Sequence, residues 1–265
     1  MSFRSQYSDR VIAGMQMLYG EGFLSPGGAA EVAELLEDLD VRGLDVLDLG
    51  CGIGGACLLL AGVFDAGRVT GVDIEADSIA RAQAAAQKAG LGEVVRFVHM
   101  APGPLPFADG SFDLVFTKDV VCHIADKPAV FAEAFRVLKP GGLLLCADFA
   151  EGLAGGEAAR LYADWVEVLR TYGLSFHFES PAVYENALRA AGFADIALKD
   201  HTASSAAVAR RERDFALSKE AAHVREILGE DYFKVRVDLS ALRAKAHEAR
   251  GLLHVHIRAR RAGVT

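Results

Sequence analysis

The sequence lacks anything that would hold it in a membrane or against a polyanion. Among its 265 residues the longest apolar runs, such as residues 143–147, fall far short of the roughly 20 residues needed to cross a bilayer. The opening stretch MSFRSQYSDR is polar and has none of the apolar character of a secretory leader. Lysine and arginine form no run before the C-terminal segment, and the formal net charge is −8. Nucleic-acid binding draws on gathered cations that displace counterions, so no nucleic-acid partner is expected. Cysteine is scarce. The four, Cys51, Cys57, Cys122 and Cys146, form no CxxC pair and sit in apolar or glycine-rich surroundings, as reduced, mostly buried thiols of a cytoplasmic protein would. Repeats, low-complexity tracts and linkers are also missing, which leaves one domain as the expectation. Against these absences, 52% of the residues are hydrophobic and 24% charged, an ordinary globular balance.

What is present is an alternation. Apolar runs at 44–49, 68–73, 93–99, 111–118 and 143–149 read as strands. Helical stretches at 53–64, 75–89 and 127–138 separate them, the last expected to stop before Pro140-Gly141-Gly142. Strands spaced by helices of this length imply parallel βαβ units, and continuous apolar runs such as LLLCA imply burial on both faces. Further on, residues 150–180 read as a helical insertion, 182–191 as a helix, 193–200 as a sixth strand, 203–228 and 238–249 as helices, and 251–261 as a terminal strand. The expected fold is therefore α/β: a Rossmann-like, doubly wound, mostly parallel seven-stranded sheet. Residues 1–40 form an N-terminal helical cap, 44–149 the cofactor-binding core and 150–250 the substrate-side insertions after strands five and six.

The chemistry is concentrated in VLDLGCGIGG, residues 46–55. A strand runs into Gly50-x-Gly52-x-Gly54 and then a helix, so the backbone turns tightly and a ligand can approach without meeting a Cβ. The spacing is not the GxGxxG of a dinucleotide fold, and Asp48 puts negative charge where a pyrophosphate would lie. A carboxylate there suits a cofactor bearing an ammonium group. Asp73, at the end of the second strand, can accept two hydrogen bonds from a ribose diol, and Ile74 beside it can cover a face of adenine.

With these residues in place, the chain resembles the class I S-adenosylmethionine-dependent methyltransferases. The resemblance runs in order through VLDLGCGIGG, GVDI, LPFADGSFDLVFTKD and VLKPGGLLLCADF. It implies S-adenosylmethionine held by Asp48, Gly50, Cys51, Gly52, Gly54, Asp73 and Ile74, with Ala101 standing where the family usually has an aspartate near adenine. The flanks carry a narrower likeness. QYSDRVIAGMQMLYGEGFLSPGG (6–28) is similar to the N-terminal segment of the phosphoethanolamine N-methyltransferases. That likeness implies that Leu24 and Ser25 contact the cofactor, and that Tyr7 and His123 pair over an acceptor amine. Asp119 is implied beside both cofactor and amine, and in a helix its spacing would bring it to the same face as His123. It also implies a substrate subsite at Phe149, Trp165, Arg170 and Tyr172.

A histidine that titrates near neutrality can take the proton an amine must lose before it attacks a sulfonium methyl. The expectation is a methyltransferase acting on a small molecule, a phosphoethanolamine-like or related amine, as a monomer or homodimer. The alternatives are an enzyme that turns the same cofactor pocket to cyclisation or aminocarboxypropyl chemistry, and a non-catalytic module that binds the cofactor. No metal is expected: His254 and His256 alternate on the last strand without a visible third ligand and read as a solvated strand face, and ARRERD (209–214) reads as an exposed helix face.

Overall fold

The computed structural model describes residues 8–152, 155–171 and 176–263. Tyr7 and Tyr172, both expected at the site, lie outside the described residues. Two helices come first, α1 (Asp9–Tyr19) and α2 (Gly28–Leu35), in the region expected as a cap. The core alternates β1 (Asp45–Leu49), α3 (Gly55–Gly62), β2 (Arg68–Asp73), α4 (Ala76–Lys88), β3 (Val95–His99), β4 (Phe112–Lys118), α5 (Lys127–Val137) and β5 (Leu138–Glu151). There follow α6 (Glu157–Thr171), α7 (Pro181–Ala191), β6 (Phe193–Asp200), α8 (Thr202–Leu217), α9 (Ala222–Leu228), α10 (Glu230–Glu248) and β7 (Leu252–Arg261).

The strands form one seven-stranded sheet in the order β3-β2-β1-β4-β5-β7-β6. β1 to β5 are parallel, while β7 runs antiparallel to both β5 and β6. Side chains alternate across a strand, so the apolar runs feed two cores at once. Val46, Leu114, Phe116 and Leu145 face a layer built with α2, α3 and α4. Their neighbours Leu47, Val115 and Leu144 face the opposite layer, with Phe131 of α5 and Tyr184 and Leu188 of α7. Burial on both faces is why these segments carry so few polar residues.

The elements depart from the sequence expectation in two places. β5 runs through Pro140-Gly141-Gly142 to begin at Leu138, and its register against β4 shifts between Phe112 and Leu114. The expected helix 203–228 is broken at Ser218, and α10 begins at Glu230, directly after Gly229 at φ 75°. That left-handed glycine ends one helix and resets the chain for the next, so a continuous helical composition conceals a corner.

Leu47 is wholly buried on the central strand. Leu47→Ala should lower unfolding free energy by about 2–5 kcal/mol, the usual cost of a cavity under leucine. Urea unfolding followed by circular dichroism measures it.

Candidate functional site

The strand order reverses between β1 and β4, and in open α/β sheets a ligand crevice lies outside the C-terminal ends of the strands at that point. The glycine-rich turn after β1 lies there. It is anchored through its backbone: the amides of Gly50 and Cys51 donate to Val72 O at 2.9 and 3.0 Å, and Gly52 N donates to Asp73 Oδ2 at 2.8 Å. Gly50 adopts φ 75°, and a Cβ there would fall 2.3 Å from the Val120 side chain. The turn after β4 therefore packs directly on the turn after β1. Gly55, at the start of α3, donates to Gly22 O at 3.1 Å, and a Cβ would collide with that carbonyl. The segment leading to α2 thus rests on the glycine-rich turn, with the Leu24 side chain beside Gly52.

These features fit an S-adenosyl cofactor. Asp73 spends one oxygen on Gly52 N and the other on Glu75 N, yet is only partly buried, and a carboxylate offers about four acceptor positions. Ile74 is 53% exposed, an apolar surface waiting for a ring. Ala101 lies exposed just beyond β3. Asp48 is placed differently from the rest. It is buried beneath the turn, where Cys57 Sγ donates to it at 3.1 Å, and burial pushes its pKa up to about 7. Cys51 is buried against the same turn.

The end of β4 is organised by a charge to which the sequence reading gave no role. Lys118, the last residue of β4, is buried and donates to Ser25 Oγ at 2.8 Å, Pro26 O at 2.5 Å and Asp119 Oδ2 at 2.6 Å. Its Nζ also lies 3.0 Å from Glu31 Oε2 in α2. Glu31 and Asp119 share a second cation, since His254 Nδ1 lies 3.3 Å from Glu31 Oε1 and His254 Nε2 lies 3.3 Å from Asp119 Oδ1. Burial pushes the Glu31 carboxyl up, but the Lys118 ammonium, His254 and the His256 hydrogen bond outweigh it and hold the pKa at about 2. Burial likewise opposes ionisation of Asp119, yet Lys118 and His254 keep it well below the usual carboxylate range. For His254 burial works downward and the two carboxylates win, raising its pKa.

This arrangement corrects three expectations. Asp119 does not begin a helix that carries His123; it sits at φ 56°, and both of its oxygens are engaged by Lys118 and His254. His254 and His256 are not a solvated face, since both are buried. The third acidic partner they seemed to lack is Glu31, brought in from the cap.

His123 itself closes a 3-10 turn, Val121–His123, and is exposed, its ring 4.2 Å from that of Phe176. The turn is clamped from below by Lys127, which donates to the carbonyls of Val121 at 2.8 Å, Ile124 at 2.7 Å and His177 at 2.6 Å. A cation in the first turn of a helix opposes the macrodipole, and those three carbonyls account for it. His177 N returns a bond to Cys122 O at 2.6 Å. The expected substrate residues divide. Phe149 and Trp165 pack together, ring centroids 6.0 Å apart, in an apolar cluster with Leu169, Phe178 and Leu239. Arg170 stays exposed at the end of α6. Phe149 also lines a cavity of about 190 Å³ between α2 and α8, with Glu31, His201, Ser205, Arg211 and His254.

Fold and glycine turn together define the class. Residues 47–146 match the methyltransferase domain family, and the seven-stranded fold is that of solved class I methyltransferases. More particularly, it is similar to the phosphoethanolamine N-methyltransferases. It is 32% identical to phosphoethanolamine N-methyltransferase 1 of Arabidopsis thaliana over 228 residues, which cover 86% of this chain and 44% of that protein. The chain thus spans less than half the length of the phosphoethanolamine N-methyltransferases it matches. Among solved structures, phosphoethanolamine N-methyltransferase 2 of Haemonchus contortus, in complex with phosphomonomethylethanolamine and S-adenosylhomocysteine, superposes with a TM-score of 0.87 at 23% identity, covering 98% of this chain and 58% of that one. Geranyl diphosphate C-methyltransferase from Streptomyces coelicolor A3(2) shares the fold at a TM-score of 0.69 and 19% identity, over 88% and 77% of the two chains.

The charge cluster sets a pH profile for stability. With its folded pKa near 2 against an ordinary 4.5, Glu31 contributes stability that is present above pH 4.5 and is lost as pH falls through 2. His254 acts at the other end: its contribution is full below its ordinary 6.5 and is lost as pH rises through the raised folded value. Chemical denaturation across this range should show wild type losing stability on both flanks, and Glu31→Gln should lose Glu31's share of the acid limb. An unchanged acid limb in that variant would contradict the assignment.

Proposed function

We propose that this chain transfers a methyl group from S-adenosylmethionine to the nitrogen of a small amine. One observation carries the reading: Val120 packs on Gly50, so the turn bearing His123 is joined to the glycine-rich turn. When bound, S-adenosylmethionine supplies an electrophilic methyl on a sulfonium. The remaining work falls to the chain. Asp73 would accept the ribose hydroxyls, Ile74 and Ala101 would line the adenine, and the backbone of Gly50 to Gly54 would hold the methionine portion. Leu24 and Ser25 cover it from the cap, and Ser25 is held in place by Lys118. His123 takes the acceptor's proton at a ring nitrogen, Tyr7 orients it, and the apolar wall of Phe149 and Trp165 excludes water. Asp119 does not orient His123; its role is to neutralise Lys118 and His254 beside the acceptor.

In the implied substrate subsite Phe149 offers no hydroxyl; nearby, Arg243 is bonded to Glu212 at 2.6 Å and Arg236 to Tyr19, while Arg211 lines the cavity beside Phe149.

Asp73→Ala should weaken S-adenosylmethionine binding by roughly 1.5–3 kcal/mol, about 10- to 150-fold, as measured by calorimetry. Unchanged affinity would remove Asp73 from the cofactor site. Screening amines for release of S-adenosylhomocysteine tests the reaction class, while methylthioadenosine as the product would point to aminocarboxypropyl transfer instead. On an acceptor found in this way, His123→Ala should cut turnover by about 10²- to 10⁴-fold with little effect on cofactor affinity. Near-normal turnover would leave proximity and orientation as the whole account.

A further inference from the structure

β7 carries two histidines of which the proposed transfer makes no chemical use. His254 and His256 present their rings on one face of the strand, and α2 lays Glu31 across them. Glu31 Oε1 lies 3.3 Å from His254 Nδ1 and 3.2 Å from His256 Nε2. Two imidazoles and one carboxylate are a donor set for first-row transition ions. With ligand bonds of about 2.0–2.1 Å, tetrahedral coordination spaces neighbouring ligand atoms about 3.3 Å apart. Glu31 Oε1 already stands at that separation from both nitrogens, and all three ligand atoms fall within 4.8 Å of one another.

The surroundings are arranged as an outer shell would be. The other nitrogen of His254 faces Asp119 Oδ1 at 3.3 Å, so that carboxylate can hold the Nε2 proton while Nδ1 exchanges its ion pair with Glu31 for the metal. The other oxygen of Glu31 is held by Lys118 at 3.0 Å, which fixes the carboxylate's orientation. Charge points the same way: Glu31 and Asp119 together exceed Lys118 by one negative charge, so the cluster requires a further cation. In the metal-free protein a proton on His254 supplies one, while His256 Nε2 hydrogen-bonds Glu31 Oε1. Glu31 and His254 also line the 190 Å³ cavity, which gives an ion a way in and an open coordination position. His201 adds an independent sign of a missing ligand. Its Nε2 is buried without a hydrogen-bond partner, its ring stacks on His256 at 3.6 Å, and it lines the same cavity.

We propose that Glu31 Oε1, His254 Nδ1 and His256 Nε2 form a binding site for one divalent first-row transition ion of the zinc type, with a water or small anion from the cavity completing the shell. Binding releases any proton on His254 Nδ1 to solvent. The test of this site does not read turnover.

The full chain, stripped with chelator, is loaded with Zn²⁺ alone, desalted and analysed for metal by mass spectrometry. One zinc per chain is expected, with His256→Asn and Glu31→Gln each weakening zinc binding by at least about 100-fold while retaining the wild-type circular dichroism spectrum. X-ray absorption of the zinc-loaded wild-type protein should show two imidazoles on the metal, a readout that stands even if both variants unfold. Wild-type protein that retains no zinc, variants that bind it as tightly as wild type, or a spectrum with fewer than two imidazoles would each overturn the proposal.

Discussion

An ammonium ion taken out of water must be repaid by partners placed at close range, and all the partners of Lys118 but its neighbour Asp119 come from other parts of the chain. It stands at the end of a central strand, and its bonds reach Ser25 and Pro26 in the cap, Glu31 in α2 and its neighbour Asp119. Through the two carboxylates it is coupled to His254 on β7. Cap, central sheet and final strand therefore meet at one nitrogen. None of these segments can shift without stranding a buried charge, which is a stronger constraint than apolar contact alone because it specifies direction as well as proximity.

Two construction principles meet across the crevice. On the cofactor side the work is done by backbone: amides of the glycine-rich turn tied to Val72 and Asp73, and close approaches that no Cβ would allow. On the acceptor side it is done by side chains held by long-range partners, with Lys127 fixing the turn of His123 and Lys118 fixing Ser25 and Asp119. The first kind is carried by a contiguous stretch and is fixed by chemistry common to one cofactor. The second draws on residues far apart in the chain and is free to vary with the acceptor.

That difference decides what could be read from sequence. The strand runs and the glycine spacing are local patterns, so β1 to β7 and the turn at Gly50 were legible, with errors confined to ends such as Leu138 and to the corner at Gly229. The spacing of Asp119 and His123 misled because four residues mean a shared face only on a helix, and the left-handed Asp119 breaks that premise. His254 and His256 misled because alternation reveals a shared face but not what covers it; the cover is Glu31, 225 residues away from His256. A lysine closing an apolar strand, as Lys118 does, and another in the first turn of a helix, as Lys127 does, were the signals available in the string, since each violates a local preference that only distant partners can restore.

The place of β7 in the sheet also governs how the molecule can be assembled. β6 is made before β7, yet its partner in the sheet is β7 and not β5. A nascent chain that has completed β6 therefore has an open rim along β5 and a strand with nothing to pair to. Insertion of β7 seals both gaps together, burying the rim that other polypeptides could otherwise capture. His254 arrives in the same movement, so the charge cluster stays incomplete until the sheet is closed. A ribosome-bound or truncated form that ends before β7 is thus at once sticky and electrostatically unbalanced, a state well suited to recognition by chaperones and proteases.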